Sequence, residues 1–217
     1  MSKKIEEEKI SFVFNASSDD ELRFLEAFKI SYTGTRLQIS GLDRAYRKII
    51  VAHFGVSTPE FTLAYSKDTL PEIKMDYPLF VKPLNGRGSA GISEENIIRS
   101  PEELPSVVGK ITEKMSQPAL IEGFIEGREL TVGIIGYKTP IVLPLLEIGY
   151  TFGNTNTYEH KMLDQEIIRC PMKIPKEVEE KIIKMALKIY KTLDIADYGR
   201  VDMILGEAPT NLKVRGF

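Results

Sequence analysis

The sequence predicts an α+β fold, and three observations carry the prediction. Strand-like and helix-like segments alternate irregularly rather than in regular β–α pairs. Near the end, Val178, Ile182, Ala186, Ile189 and Leu193 recur every three to four residues, the stripe of an amphipathic helix. In the middle, a short apolar run from Tyr77 to Lys82 leads directly into a glycine-rich turn. At 217 residues the chain suffices for one large or two small domains. Its apolar share of 42% and charged share of 28% suit a soluble globular protein. A net charge of −2 gives no bulk attraction for nucleic acid. The single cysteine, Cys170, excludes an internal disulfide and a cysteine-based zinc cluster, and reads as a small buried side chain. No apolar run approaches the length of a membrane span. The start, MSKKIEEEK, lacks the apolar core of a signal peptide, so the cytoplasm is the expected compartment.

Taken in order, Ile10 to Phe14 is a strand candidate. Ser18 or Asp19 can cap a helix from Glu21 to Phe28 with a stripe of Leu22, Leu25 and Phe28. Ile30 to Gly34 returns to extended chain, completing one β–α–β unit. Ser40-Gly-Leu-Asp43 opens a second helix carrying Leu42, Tyr46, Ile49, Ile50 and His53, and Gly55 ends it as the C′ residue. Arg44, Arg47 and Lys48 on this helix read as a solvated face, and His53 as a helix-end histidine rather than a metal ligand. Strands are expected within 56–64, over 77–82 and within 92–98. Ser100-Pro-Glu-Glu starts a helix that runs to Met115, with Pro101 in the first turn and acids at the positive dipole end. Further strands are expected at 119–124, 129–135 and 141–148. A polar loop over 153–161, the long helix from Pro175, and a buried strand from Tyr198 to Leu205 follow. That strand carries Arg200 and Asp202, and charges rarely sit in a buried strand without partners or purpose.

Lys82 stands at the end of its strand, and Gly86, Gly88 and Gly91 punctuate the turn around Arg87 and Ser89. Glycines let successive backbone N–H groups approach a phosphate, and the lysine adds a full positive charge. The turn is neither a Gly-Lys-Ser/Thr phosphate loop nor a dinucleotide fingerprint opening a helix, and a ligand-free glycine hairpin has the same appearance. Glu122 and Glu129 flank a turn holding Phe124 and Ile125, a pattern that suits adenosine: an apolar wall and backbone groups for the base, carboxylates for amino and hydroxyl groups. Lys161 in the polar loop is placed to fold over phosphates. Asp202 suits Mg²⁺, which takes one or two carboxylates plus phosphate oxygens. Arg200 lies on the same strand face, since side chains alternate, and suits charge developing on a transferring phosphoryl group. Singly, each residue reads equally as a surface or ion-pair group.

Jointly they resemble a known family. Tyr32-Thr-Gly34, Phe54-Gly-Val-Ser-Thr-Pro59, Phe80-Val-Lys82-Pro with Gly88-Ser-Ala-Gly-Ile-Ser93, Ile121-Glu122-Gly-Phe-Ile-Glu-Gly127-Arg-Glu129 and Tyr198-Gly-Arg200-Val-Asp202 occur in the order and spacing of the ATP-grasp fold. Within it they look like the D-alanine–D-alanine ligase branch, over residues 10 to 205. The resemblance implies two α+β subdomains gripping ATP. It divides the chain into a remnant of an N-terminal domain (1–36), a small subdomain (37–128) and an incomplete C-terminal subdomain (129–217). It implies a carboxylate–amine ligase that works through an acyl phosphate with ATP and Mg²⁺. In that assignment Arg44, Lys82, Gly88, Ser89, Ala90 and Lys161 hold phosphates, and Glu122, Gly123, Phe124, Ile125 and Glu129 hold adenosine. Arg200 and Lys161 act in catalysis, and Asp202 is a metal ligand. The implied partner is a small amino-acid substrate, with a homodimer left open and no nucleic acid or membrane.

Departures accompany the resemblance. Arg44 stands where the family has a lysine, and Met162 where a tyrosine usually follows the loop lysine. After the Asp202 strand the family carries Glu-x-Asn and a Pro-Gly turn, whereas this chain reads Val214-Arg215-Gly216-Phe217. Two metal ligands are therefore expected to be missing, as in a truncated or degenerate member. Three readings follow: a ligase of this type, a nucleotide-binding module without ligase activity, and a ligase with a different amino-acid acceptor.

Overall fold

The computed structural model describes residues 7–15, 19–86, 91–150, 166–206 and 212–216. A small leading unit comes first. Strands β1 (Phe12–Val13) and β2 (Ser31–Tyr32) pair in parallel around helix α1 (Asp19–Ala27). Leu22 and Leu25 of α1 are buried with Ile30. Phe28, expected on that stripe, falls in the turn beyond the helix and is exposed, its ring tilted against Phe24 with centroids 4.5 Å apart. A single turn, α2 (Leu37–Ser40), leads to helix α3 (Arg44–His53), capped where Asp43 Oδ1 accepts from Tyr46 N at 2.8 Å. Gly55, at φ +72°, ends α3 in the left-handed conformation that a C′ glycine adopts without strain.

The first sheet contains β3 (Phe61–Ala64), β4 (Leu79–Pro83), β5 (Ile97–Ile98) and β6 (Ala119–Gly123) in the order β3-β6-β4-β5, all antiparallel. Helix α4 (Leu104–Lys114) covers one face, where Leu79, Val81, Ala119 and Ile121 pack on Val108 and Ile111. The period of two sends Phe80, Lys82, Leu120 and Glu122 to the other face. Phe80 is directly opposite Glu122 in the register, which makes Lys82 the diagonal neighbour of Glu122.

The second sheet contains β7 (Arg128–Ile135), β8 (Ile141–Val142), β9 (Leu146–Tyr150), β10 (Glu166–Arg169), β11 (Tyr198–Leu205) and β12 (Leu212–Gly216). Its order is β10-β9-β7-β11-β12, with β8 paired to the far end of β7. The single strand expected over 141–148 is two, parted at Leu143-Pro144-Leu145, where proline cannot donate to the ladder. Helix α5 (Lys176–Thr192) lies across one face, and its Val178, Ile182, Ala186 and Ile189 are buried with Leu130, Val132, Val201 and Met203. Val51 of α3 joins this core, whereas Ala45, two turns earlier, packs with Leu84 and Leu120 of the first sheet. Helix α3 thus ties the two sheets together. The opposite face of the second sheet presents four cross-strand pairs in a row: Glu129–Ile204, Thr131–Asp202, Gly133–Arg200 and Ile135–Tyr198.

Cys170, expected to be buried, is exposed, because it lies just past the end of β10 and outside the core. Among the described residues, no helix is long and apolar enough to cross a membrane. Ile182 is fully buried at the centre of the larger core. Ile182→Ala is expected to destabilise the protein by about 2–5 kcal/mol, through lost transfer energy and a residual cavity. A urea titration measures this, and a midpoint change with constant slope identifies it as a stability effect.

Candidate functional site

Of the residues expected on helix α3, Ile50 packs against the larger core, but the fully buried face is made by others. Tyr46 and Ile49 are exposed, and the buried face is Ala45, Lys48 and Val51. Lys48, expected on a solvated face, is 5% exposed. Its ammonium stands 2.7 Å from Glu122 Oε2 and donates to Pro59 O at 3.4 Å. On the other side of the same carboxylate, Lys82 Nζ donates to Glu122 Oε1 at 2.6 Å. Each oxygen of the carboxylate therefore faces its own ammonium. Lys82 and Glu122 are 3% and 4% exposed, so all three charges are out of water. Burial, opposed by Glu122 and reinforced by Lys48 and Arg44, pushes the Lys82 ammonium down to about 8. Burial also raises the Glu122 carboxyl, but Lys82 and Lys48 outweigh it and hold that carboxyl below its ordinary value. Two lysines on one carboxylate leave the trio with a surplus positive charge.

Arg44 links this trio to the glycine turn. Arg44 Nη1 donates to Pro83 O at 2.5 Å and stands beside Gly86, where a Cβ would meet that nitrogen at 3.6 Å. Gly86 and Gly91, at φ +140° and +73°, bracket the turn in conformations suited to glycine. The return is clamped by Asn96, a residue the sequence reading passed over. Its Nδ2 donates to Val81 O at 2.6 Å and Gly91 O at 3.2 Å, and its Oδ1 accepts from Ser93 N at 2.7 Å. The pattern Ser93-x-x-Asn96 was its signal, a capping-box spacing. Gly88, Ser89, Ala90 and Lys161, assigned to phosphates, lie outside the described residues.

Beyond β6 the chain crosses from one sheet to the other through Phe124 to Gly127. Phe124 packs on Phe80, and its N–H donates to Pro78 O at 3.0 Å, so only its carbonyl remains for a ligand. Gly127 lies against the end of β11, where a Cβ would be 2.3 Å from Leu205 O. Any other residue there would clash with the end of β11 and displace the chain where it enters β7. Glu129, just past this crossing, is 8% exposed and begins the open row of the second sheet. Next in the row, Thr131 Oγ1 donates to Asp202 Oδ1 at 2.7 Å, and Arg200 Nη2 stands 3.4 Å from Asp202 Oδ2. Among the described residues, no three metal-type side chains stand together. Strand β12 pairs Gly216 with Asp202. Asp202 therefore fits as a single carboxylate on a Mg²⁺ already carried by phosphate oxygens, and the described residues do not fit a two-ion cage. Glu147, paired with Arg128 at 2.7 Å, lies on the core-facing side of this sheet and is not part of the row.

Comparison with known proteins places this arrangement. The family model described as "D-ala D-ala ligase C-terminus" matches residues 50–212. The D-alanine–D-alanine ligase of Thermoanaerobacter sp. is 32% identical over 83% of this chain and 52% of its own length. That of Carboxydothermus hydrogenoformans is 30% identical over 94% of this chain and 70% of its own. The chain thus spans about half to two thirds of the curated relatives it matches. The crystal structure of the Bacillus anthracis D-alanine–D-alanine ligase complexed with ATP superimposes with a TM-score of 0.74, 24% identity, and coverage of 100% of this chain and 71% of that one.

Removing Glu122 strands two buried cations. Glu122→Gln is expected to destabilise the protein by about 3–5 kcal/mol at neutral pH. Adding Lys48→Met should recover part of that loss, with a coupling of at least about 1 kcal/mol in a double-mutant cycle read by chemical denaturation. Because the folded Glu122 value lies below its ordinary one, its contribution is present above that ordinary value and is lost as pH falls through the folded value. Glu122→Gln should therefore flatten the acid limb of the stability profile.

Proposed function

Because the chain belongs to the D-alanine–D-alanine ligase family of the ATP-grasp fold, we propose that it is an ATP-dependent carboxylate–amine ligase. The observation that carries this reading is the buried Lys82–Glu122–Lys48 trio at the mouth of the glycine turn. A surplus cation held out of water favours an anion of high charge, and a nucleotide triphosphate meets that demand. Lys82, Arg44 and the turn through Gly88, Ser89 and Ala90 hold phosphates, with Lys161 closing over them. Glu122 takes the adenine amino group, assisted by Gly123, the Phe124 carbonyl and Ile125. Glu129 takes the ribose.

The reaction then runs along the open row of the second sheet. A carboxylate oxygen of the first substrate attacks the γ-phosphorus, ADP leaves, and an acyl phosphate forms. The amine nitrogen of the second substrate attacks the acyl carbon, inorganic phosphate leaves, and the nitrogen loses a proton. Arg200 stabilises the oxyanion of the tetrahedral intermediate, and Asp202 would hold a Mg²⁺ whose charge would offset that of the phosphates. Most of the catalysis is positioning and charge neutralisation. The reading implies a cytoplasmic enzyme, and it divides the chain at 36 and 128 into a leading unit and two gripping subdomains.

One observation favours a second reading, a nucleotide-binding module without turnover: β12 sets Gly216, which has no side chain, opposite Asp202. Titration calorimetry with ATP and MgCl₂, followed by D-alanine and a phosphate-release assay, separates the two. ATP binding with amino-acid-dependent phosphate release supports the ligase. Binding without release supports the module, and absence of binding overturns both.

Two residue-level outcomes follow. Free Lys82 loses its proton near 8, and phosphate binding requires the charged form. ATP affinity should therefore fall by up to about tenfold per pH unit above 8, and Lys82→Met should lower affinity and abolish that dependence. Asp202→Asn should remove the Mg²⁺ dependence of ATP affinity while leaving metal-free binding in place, as read by calorimetry with and without a chelator.

A further inference from the structure

We propose that the acid substrate of this chain carries a sizeable apolar side chain, seated in a cleft beyond Arg200 between the leading unit and the second sheet. The inference rests on the ligase reading and names its substrate class. Same-face residues along a strand are about 7 Å apart. The row on β11 therefore steps from Asp202 to Arg200 to Tyr198 at that interval, with Thr131, Gly133 and Ile135 opposite them on β7. A carboxylate presented to a phosphoryl group near Asp202 meets the guanidinium of Arg200, the cation at that point of the row, which itself stands 3.4 Å from Asp202 Oδ2. The remainder of the acid must then point away from the phosphates, along the row toward Tyr198.

In that direction lies an open cleft, largely apolar, with Asn15, Thr35 and Ser40 at its polar margin. A cleft of about 560 Å³ is lined by Leu22 of α1, by Ile135, Leu143 and Tyr198, and by Arg200 and Gly133 at the row. Gly133 faces Arg200 without a side chain, and Leu143 packs into the space this leaves, where a Cβ on Gly133 would meet its Cδ1 at 3.1 Å, so an aliphatic side chain floors the cleft next to the guanidinium. Tyr198 presents its ring, because its hydroxyl is already bonded to Asn15 O. Among these residues Arg200 is the one charge, at the end nearest the chemistry. A volume of this size is typical of small-ligand sites, and the methyl group of alanine would leave most of it to water. A branched aliphatic or aromatic side chain would bury apolar surface against Leu22, Ile135 and Leu143.

The test uses the full chain saturated with the non-hydrolysable analogue AMP-PNP and MgCl₂. Calorimetry then measures the affinities of D- and L-alanine and of D- and L-leucine. The expected result is that leucine of one configuration binds on the order of tenfold or more tighter than alanine of the same configuration, since single methylenes in apolar pockets discriminate by tenfold or more. Leu143 and Ile135 are 41% and 48% exposed, so Leu143→Asp and Ile135→Asp are compatible with folding. Each should cut the leucine-to-alanine ratio at least fivefold. Equal or tighter binding of alanine, a ratio unchanged in both variants, or no amino-acid binding by the AMP-PNP complex overturns this proposal alone. Failure of AMP-PNP itself to bind overturns the ligase reading and this one with it.

Discussion

Between β4, β6 and α3, two ammonium groups and one carboxylate share a space that water does not enter. Lys82 donates to one oxygen of Glu122, and Lys48 presses on the other. Such a cluster is a poor source of stability, because desolvating three charges costs about as much as their attraction returns. It is costly to disturb in part, since removing one member leaves an unpaired charge in a low-dielectric space. Helix α3 is therefore held to the first sheet by charge as well as by the packing of Ala45 on Leu84 and Leu120. The same helix sends Val51 into the core of the second sheet. The relation of the two sheets thus passes through one helix whose buried face carries a lysine.

Two other close contacts bear on the second sheet. Gly127 brings the crossing between sheets directly onto the carbonyl of Leu205, a position with no room for a Cβ. At the far end of the second sheet, Asp197 adopts φ +60° and accepts the Gly34 N–H at 2.9 Å, while the Tyr198 hydroxyl bonds Asn15 O. The leading unit is thereby fastened to the strand that carries Arg200 and Asp202. The row from Glu129 to Tyr198 lies between these two anchor points. Its residue types change in order along the strands: carboxylates first, then a guanidinium, then an aromatic ring and aliphatic side chains. Alternation on two antiparallel strands is enough to generate that order, since residues two apart share a face.

Much of this was legible in the order of residues. The stripe of α5, the apolar strand ending at Lys82, the glycine turn and the Arg200–Asp202 strand were all readable, because each depends on local periodicity or on backbone freedom at glycine. The separation of Glu122 and Glu129 by a short turn was readable for the same reason. The face of α3 was not. Its apolar residues Tyr46 and Ile49 point outward, and its buried stripe contains Lys48, which an apolar periodicity scores as solvent-facing. A lysine becomes a core residue only when a carboxylate 74 positions away meets it, and no pattern within one helix encodes that partner. Asn96 escaped in the same way, as its clamp on Val81 and Gly91 joins segments that are neighbours only once the sheet forms.

Sequence by itself therefore determined the element types, the place of a glycine-rich turn after Lys82, and which strand carries Arg200 and Asp202. Those features follow from short-range sterics and from the two periods of helix and strand. Tertiary structure alone decided that Glu122 is held by two lysines, that Asp202 faces Gly216 across its ladder, and that an apolar cleft lies past Arg200. Each of these depends on side chains far apart in the chain being removed together from water. The energy of a buried charge or an apolar cavity belongs to its whole surroundings rather than to any one stretch of sequence.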